Sequence, residues 1–512
     1  VSGGNVSGGN HEHVDVLVVG AGISGIGAAC QLVRRRPGTS YAVLEARAAL
    51  GGTWDLFRYP GIRSDSDMFT LGYSFRPWTG AQAIADGAAI RGYVADTARE
   101  FGVEDAIRYR HRVVAADWSS AEARWSVQVE RTDADGQVRT LRMTCRFLFC
   151  GTGYYRYDRG HVPDLPGLQR FRGTIVHPQH WPADLDVNGK HVVVVGSGAT
   201  AVTLVPALAG TAAHVTMLQR TPSWVLSLPS RDPLAEKLRD RLPVRLSYPL
   251  VRWRNVLRAQ LLFQLSRRRP ERVRGMLREQ VRRQIPPTQD VDVDFTPAYD
   301  PWDQRLCFVP DGDLFRALRS GGASVVTDRI ETFTESGIRL ASGRELPADV
   351  VVTATGLELQ LLGGMNLRVD GEPVDLASTV AYKGMMLSGV PNLALAIGYT
   401  NASWTLKIDL VTEYLCRLLA HMERRGFTTA TPREPPGPQR SPLIDLKAGY
   451  VRRGLHLLPT QGVRAPWRLH QNYPLDVLLL RRGRVADEGI EFSTAPTAAR
   501  ARSAVPSAGA GR

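Results

Sequence analysis

The chain has 512 residues, 43% hydrophobic and 22% charged, which suits a globular protein too long for one core; two or three domains of about 100–200 residues each are expected. Its formal charge is +14, and most of the excess is local: sixteen basic against five acidic side chains lie between Arg231 and Arg283. No RNA or DNA motif accompanies that stretch, so nucleic acid is not an expected partner. The five cysteines fit no zinc spacing, so no metal is expected and a reducing compartment is.

Residues 1–13 repeat Val-Ser-Gly-Gly-Asn twice and then read His-Glu-His. They lack the apolar region of a signal peptide and are expected to form a disordered lead-in. Val14–Val19 is an apolar run ending in glycine and reads as a buried parallel strand. Ile23–Arg35 reads as a helix, and Tyr41–Leu44 as the next strand. Between the first two lies Gly20-Ala21-Gly22-Ile23-Ser24-Gly25. Gly20 permits the tight turn, Gly22 lets a pyrophosphate approach the backbone, and Gly25 lets helix and strand pack closely. Glu45, at the end of the second strand, can accept hydrogen bonds from both hydroxyls of an adenosine ribose. Cys145 and Cys150 have the C-x4-C spacing of flavin disulfide reductases, but Arg-Phe-Leu-Phe between them reads as a strand. On that reading they face opposite ways and a structural role is expected.

The pattern recurs at His191–Val195, a helix through about Leu208, and His214–Leu218. From His191 to Gln219 there is no charged side chain, and a strand breaking into Gly196-Ser197-Gly198-Ala199-Thr200-Ala201-Val202 explains this better than a membrane span. This second unit ends in Gln219-Arg220-Thr221 and has no acidic residue there. A carboxylate would repel a 2′-phosphate, whereas a guanidinium binds one, so Arg220 and Thr221 point to NADPH over NADH. A helical insertion is expected at about 226–290, with Leu257, Leu261 and Leu265 at helical spacing. Its basic excess suits an anionic membrane face, a phosphate-bearing cofactor or a solvated helix face. Leu346–Gly356 reads as a strand running into glycine, where the chain returns to the first domain. The tail from Thr494 is rich in Ala, Arg, Ser and Pro and is expected to be loose. The fold class expected is α/β, with two Rossmann-like dinucleotide-binding domains and a helical insertion in the second.

Three further stretches carry a family resemblance. Gly51-Gly52-Thr53-Trp54 with Arg58-Tyr59-Pro60-Gly61-Ile62-Arg63-Ser64-Asp65 is similar to the flavin-proximal loop of class B flavoprotein monooxygenases. Phe171-x-Gly173-x3-His177-x3-Trp181-Pro182 resembles the Baeyer–Villiger monooxygenase fingerprint. Asp55–Pro60 and Asp300–Leu306 resemble the ethionamide-activating monooxygenase group. The resemblance implies FAD at the first turn and NADPH at the second. It implies an enzyme that consumes O2 and converts ketones to esters or lactones through a peroxyflavin, or oxygenates S or N, so a ketone or sulfide is the expected substrate. It places Arg305 as the catalytic arginine and Asp65 as the carboxylate orienting it near the flavin. It carries FAD contacts to Ser24, Thr53, Trp54, Asp55 and Leu56, a backbone contact to Val113 on the expected strand Arg112–Ala116, and the nicotinamide side to Arg63 and Ser64. His177 and Trp181 are expected to couple cofactor binding to domain movement. Many relatives have lysine directly before the catalytic arginine; here it is Gln304, so NADPH selectivity rests on Arg220 and Thr221. The implied organisation is an FAD domain in two parts, 14–165 and 346–493, flanking an NADPH domain at 166–345. A cytoplasmic enzyme is expected, with weak membrane contact through the basic insertion.

Overall fold

A computed structural model of the protein describes residues 12–495. The expected lead-in lies outside these residues up to position 11 and the tail from position 496, while Glu12 and His13 already belong to the first strand.

The strand Glu12–Val19 runs parallel to Tyr41–Leu44 on one side and to Val138–Cys150 on the other. Val16, Leu17 and Val18 are completely buried, which is why this segment reads as an unbroken apolar run. The helix Ile23–Arg35 follows and packs against Trp404–Arg425, a helix from the far end of the chain. His111–Ser119 and Arg124–Thr132 extend the sheet in antiparallel fashion, and Asn366–Val369 and Leu393–Leu395 join it from the return segment. One sheet is thus built from both ends of the chain.

The second sheet has five parallel strands in the order 323–327, 214–219, 191–195, 350–353, 174–176. The helix Ala199–Leu208 packs against it. The strand Val350–Thr353 belongs here, between His191–Val195 and Thr174–Val176. The chain therefore crosses back after Thr353 rather than at residue 346. A buried strand ending in glycine has the same sequence pattern on either sheet, so only pairing reveals its owner.

The insertion is helical over Pro233–Arg241, Val244–Arg268 and Pro270–Arg282. The three leucines at helical spacing do not build its core, however: Leu257, Leu261 and Leu265 are 55%, 69% and 39% exposed. No helix among the described residues is long and apolar enough to cross a membrane.

All five cysteines are unpaired and buried. Cys145 and Cys150 fall in the same apolar cluster rather than on opposite faces. The strand exchanges neighbours between them, pairing with Arg124–Thr132 up to Cys145 and with Leu393–Leu395 from Leu148, and the strict alternation of faces is lost there. Burial pushes the Cys150 thiol up to about 12, which leaves it inert.

Candidate active site between the two sheets

Gly20 has φ +99°, and a Cβ there would lie 2.8 Å from the carbonyl oxygen of Gly151. A Cβ on Gly25 would come within 1.8 Å of the Gly20 oxygen, so both positions demand glycine. Gly22 begins the helix with no side-chain cap and no acidic residue in the first turn. The N–H groups that open Ile23–Arg35 are thereby left for an external anion. Glu45 is 5% exposed and accepts from the N–H groups of Ala21 and Arg47 at 2.7 and 2.9 Å. Burial raises its pKa, against those two bonds. Each carboxylate oxygen keeps a lone pair, which suits a ribose diol. Val113 lies on the strand His111–Ser119, buried, beside a register shift, and His111 at the start of that strand donates its N–H to the Glu45 carbonyl at 2.8 Å. Ser24 is also buried, and its hydroxyl accepts from the Trp404 indole at 2.8 Å. These residues fit the diphosphate and adenosine of FAD.

Thr53–Leu56 forms one helical turn directly against this loop, where Gly22 and Gly51 form a bridge. Trp54 packs into the first-domain core and Leu56 into the second-domain core. Asp55 is almost fully buried, and Arg47, Arg58 and Arg91 all bond its carboxylate, at 2.7, 2.9 and 3.1 Å. Its side chain is saturated, so it stiffens the loop and leaves any flavin contact to its backbone. Burial alone would raise its pKa, but Arg47 first, then Arg58 and Arg91, hold it below the ordinary value. A carboxyl lowered by folding stabilises the protein above its unfolded pKa, near 4, and ceases to as pH falls through the folded value. Asp55→Asn is expected to lose less stability than the parent when melting is scanned from about pH 5 to about pH 3; parallel acid limbs would contradict this.

The second turn repeats the first. Gly196 has φ +143° with a would-be Cβ 2.4 Å from the Ala354 oxygen, and Gly198 starts an uncapped helix with open space beside it. Ser197 donates to the Thr221 carbonyl at 2.8 Å and meets Ser223 at 3.0 Å, tying the turn to the strand end. Thr200 lies within the first helical turn. Ala201 and Val202 are buried in the core and can offer only backbone. Arg220 is exposed and has no ion pair among the described residues, so its guanidinium is free for a phosphate. Arg220→Ala is expected to weaken NADPH relative to NADH by about tenfold or more in KM ratio, as one charge-assisted bidentate contact is lost. An unchanged ratio would refute the assignment.

Between the sheets, Arg305 donates to Asp65 at 2.6 Å. The two side chains are 33% and 37% exposed, enclosed yet reachable. Burial works against the charge on Arg305, but the Asp65 carboxylate beside it raises its pKa further above the ordinary arginine value. Tyr154, Tyr155 and Tyr450, around Arg305, are the group that motif reading missed. Tyr154 and Tyr155 share a 2.6 Å hydrogen bond, Tyr155 meets Tyr450 edge to face, and Trp404 stacks on Tyr154 with ring centres 5.2 Å apart. Burial pushes all three phenols above their ordinary value, so they remain donors. The only sequence signal is Tyr154-Tyr155 just beyond the glycines ending a strand; Tyr450 carries none. Ile397, Ile444 and Leu446 line a small cavity together with Tyr154, Tyr450 and Trp404.

Arg63 and Ser64 lie beside this pair but are engaged elsewhere. Arg63 bonds Asp313 at 2.5 Å, and Ser64 closes a local turn with Ser66. The fingerprint residues are structural as placed. His177 contacts the Gly356 carbonyl at 3.3 Å, and its ring lies where a Cβ on Gly160 would be. Gln179 donates to the carbonyls of Arg156 and Tyr157. Phe171 packs on Phe333, and Trp181 against the second-domain core. The motif thus clasps the two crossings between domains, and burial keeps His177 neutral.

Two uncapped glycine turns facing a carboxylate–arginine pair define an oxidoreductase with two dinucleotide folds. Residues 84–241 match the family described as Flavin-binding monooxygenase-like, and residues 18–82 the NAD(P)-binding Rossmann-like domain. The chain is 56% identical over 487 residues to the FAD-containing monooxygenase EthA of Mycobacterium tuberculosis, covering 95% of this chain and 99% of that one. A polycyclic ketone monooxygenase from the fungus Thermothelomyces thermophila shares the fold at TM-score 0.74 and 16% identity, covering 96% and 91% of the two chains. An oxidized steroid monooxygenase bound to NADP matches at TM-score 0.71 and 22% identity, covering 94% and 100%. The chain belongs to the class B flavoprotein monooxygenase family, in the group of the FAD-containing monooxygenase EthA.

Proposed function

We propose that the protein is a Baeyer–Villiger monooxygenase, inserting one oxygen atom beside a ketone carbonyl to give an ester or lactone. It is an NADPH-dependent flavoprotein monooxygenase with FAD and NADPH as its cofactors. The observation that carries the reading is the 2.6 Å Asp65–Arg305 pair set between the two dinucleotide folds.

Bound FAD, reduced by NADPH, supplies the activation of O2. The chain supplies charge and orientation. Arg305 holds its charge at any working pH and can balance an anionic oxygen placed beside it. Asp65 fixes the plane of that guanidinium through a charge-assisted bond. Tyr154, Tyr155 and Tyr450 present phenol donors around it. Ile397, Ile444, Leu446 and Trp404 pack behind Tyr154 and Tyr450 and give those two phenols an apolar backing.

The same groups would serve oxygen transfer to a sulfide sulfur or an amine nitrogen, so the fate of a ketone decides. The test is to incubate the holoenzyme with NADPH, O2 and a panel of ketones and sulfides and to weigh the products. Ketones gaining one oxygen as esters or lactones support the proposal. Sulfoxides formed with ketones untouched would replace it by heteroatom oxygenation.

A further inference from the structure

The helix Val244–Arg268 has its apolar face outward. Leu246, Leu250, Trp253, Leu257, Leu261 and Leu265 recur every three or four residues and are 51%, 55%, 37%, 55%, 69% and 39% exposed. That spacing aligns them in one stripe along the helix. The opposite face, with Tyr248, Val251, Arg252 and Val256, is the one that docks on the protein. A stripe of this kind is covered by something in a working protein.

Charge narrows what covers it. From Arg241 to Pro270 there are eight arginines and no acidic residue. Arg245, Arg258, Arg267, Arg268 and Arg269 are exposed. Beside the stripe opens a cleft of about 830 Å³ whose lining holds six arginines and a single carboxylate, Glu413. Arg35 and Arg481 share that carboxylate, at 3.2 and 2.6 Å. Arg252, also on the lining and 4% exposed, pairs with Asp409, yet its buried Nε has no partner. Trp253 belongs to both features, so the stripe runs into the cleft at an indole.

We propose that this helix lies in the surface of an anionic membrane, its leucines among the acyl chains and the arginine cleft on the lipid headgroups. Leucine and tryptophan on one face, arginine at the flanks and no carboxylate along the helix are the physical requirements of a helix that lies in the bilayer interface. A second copy of the chain is the poorer occupant. A two-fold interface would set the same arginines against themselves, and like charges brought together across a contact are repelled. The placement would also put the enzyme where apolar substrates are concentrated, whichever atom it oxygenates.

The test uses the full-length holoenzyme and flotation with vesicles of phosphatidylcholine alone or mixed with phosphatidylglycerol. Binding is expected to the mixed vesicles and to fall as salt is raised, because the arginine contribution is screened. The double variant Leu257→Glu, Leu261→Glu is expected to bind at least about tenfold more weakly, since each leucine loses its transfer into the apolar layer. Both side chains are exposed, so flavin content and turnover of soluble substrate should stay at the parent level. Equal binding to both vesicle types, no binding by the parent, or undiminished binding by the double variant would overturn the proposal. So would a sedimentation experiment without lipid in which the parent is an oligomer and the double variant a monomer; the stripe would then be a contact between copies.

Discussion

Arg305→Ala is expected to keep its FAD and to lose oxygenated product by about a hundred- to a thousandfold, the usual effect of removing one charge-stabilising donor from an active site. The two outcomes separate because the cofactor is held elsewhere. The glycine turn at Gly20–Gly25 and Glu45 lie on the first sheet, while Arg305 arrives from the second-domain side, 240 residues on from Asp65. Flavin absorbance therefore reports folding and product mass reports chemistry. Arg305→Lys keeps a charge but not the planar fork that matches a carboxylate, so it should recover only part of the rate. Asp65→Asn leaves the arginine charged but poorly oriented, and its loss should appear in kcat more than in KM for NADPH. Ester formation by Arg305→Ala at the parent rate would remove Arg305 from the chemistry.

Asp409→Ala is expected to produce the largest loss of stability, about 3–5 kcal/mol, because it strands a buried guanidinium. Arg252 donates to Asp409 at 2.9 Å and to the carbonyls of Phe69 and Gly72 at 2.8 and 2.6 Å. Asp409 also accepts from the Ser74 N–H at 2.8 Å. These bonds join the insertion, the loop after Asp65 and the long return helix at one point. Replacing both partners, as in Arg252→Met with Asp409→Leu, should recover much of the loss, since an apolar pair of similar volume costs little compared with an orphaned charge. Thermal melting of the single and double variants checks this. A single variant within about 1 kcal/mol of the parent would show that the pair contributes little.

Much of this molecule is written in local pattern. The strands Glu12–Val19 and His191–Val195 and the helices that follow them are legible because a parallel strand buried on both faces must be apolar throughout, and each ends at a turn only glycine can make. Asp65 and Arg305 were legible only through motif resemblance, and the fold brings them within hydrogen-bond reach. What local pattern does not carry is partnership. The strand at Val350–Thr353 could not be given to its sheet, and the neighbour exchange between Cys145 and Leu148 could not be seen. Helical spacing revealed that Leu257, Leu261 and Leu265 share a face but not that the face looks away from the protein. Tyr450 joins Tyr154 and Tyr155 from more than half the chain away, and no run of residues announces it.

The clasp around His177 bears on how the two domains can move. The outbound and returning crossings run side by side: Tyr155 bridges Leu359, the Arg156 N–H donates to the Glu358 carbonyl at 2.9 Å, and Glu358 takes both Arg156 and Arg159. Two loosely spaced tethers would let one domain swing, tilt and slide. A pair zipped into a short ribbon behaves as a single axle, stiff to bending and soft mainly to torsion. Relative motion of the two domains is then expected as rotation about that ribbon, whose first residue, Tyr155, belongs to the phenol group around Arg305.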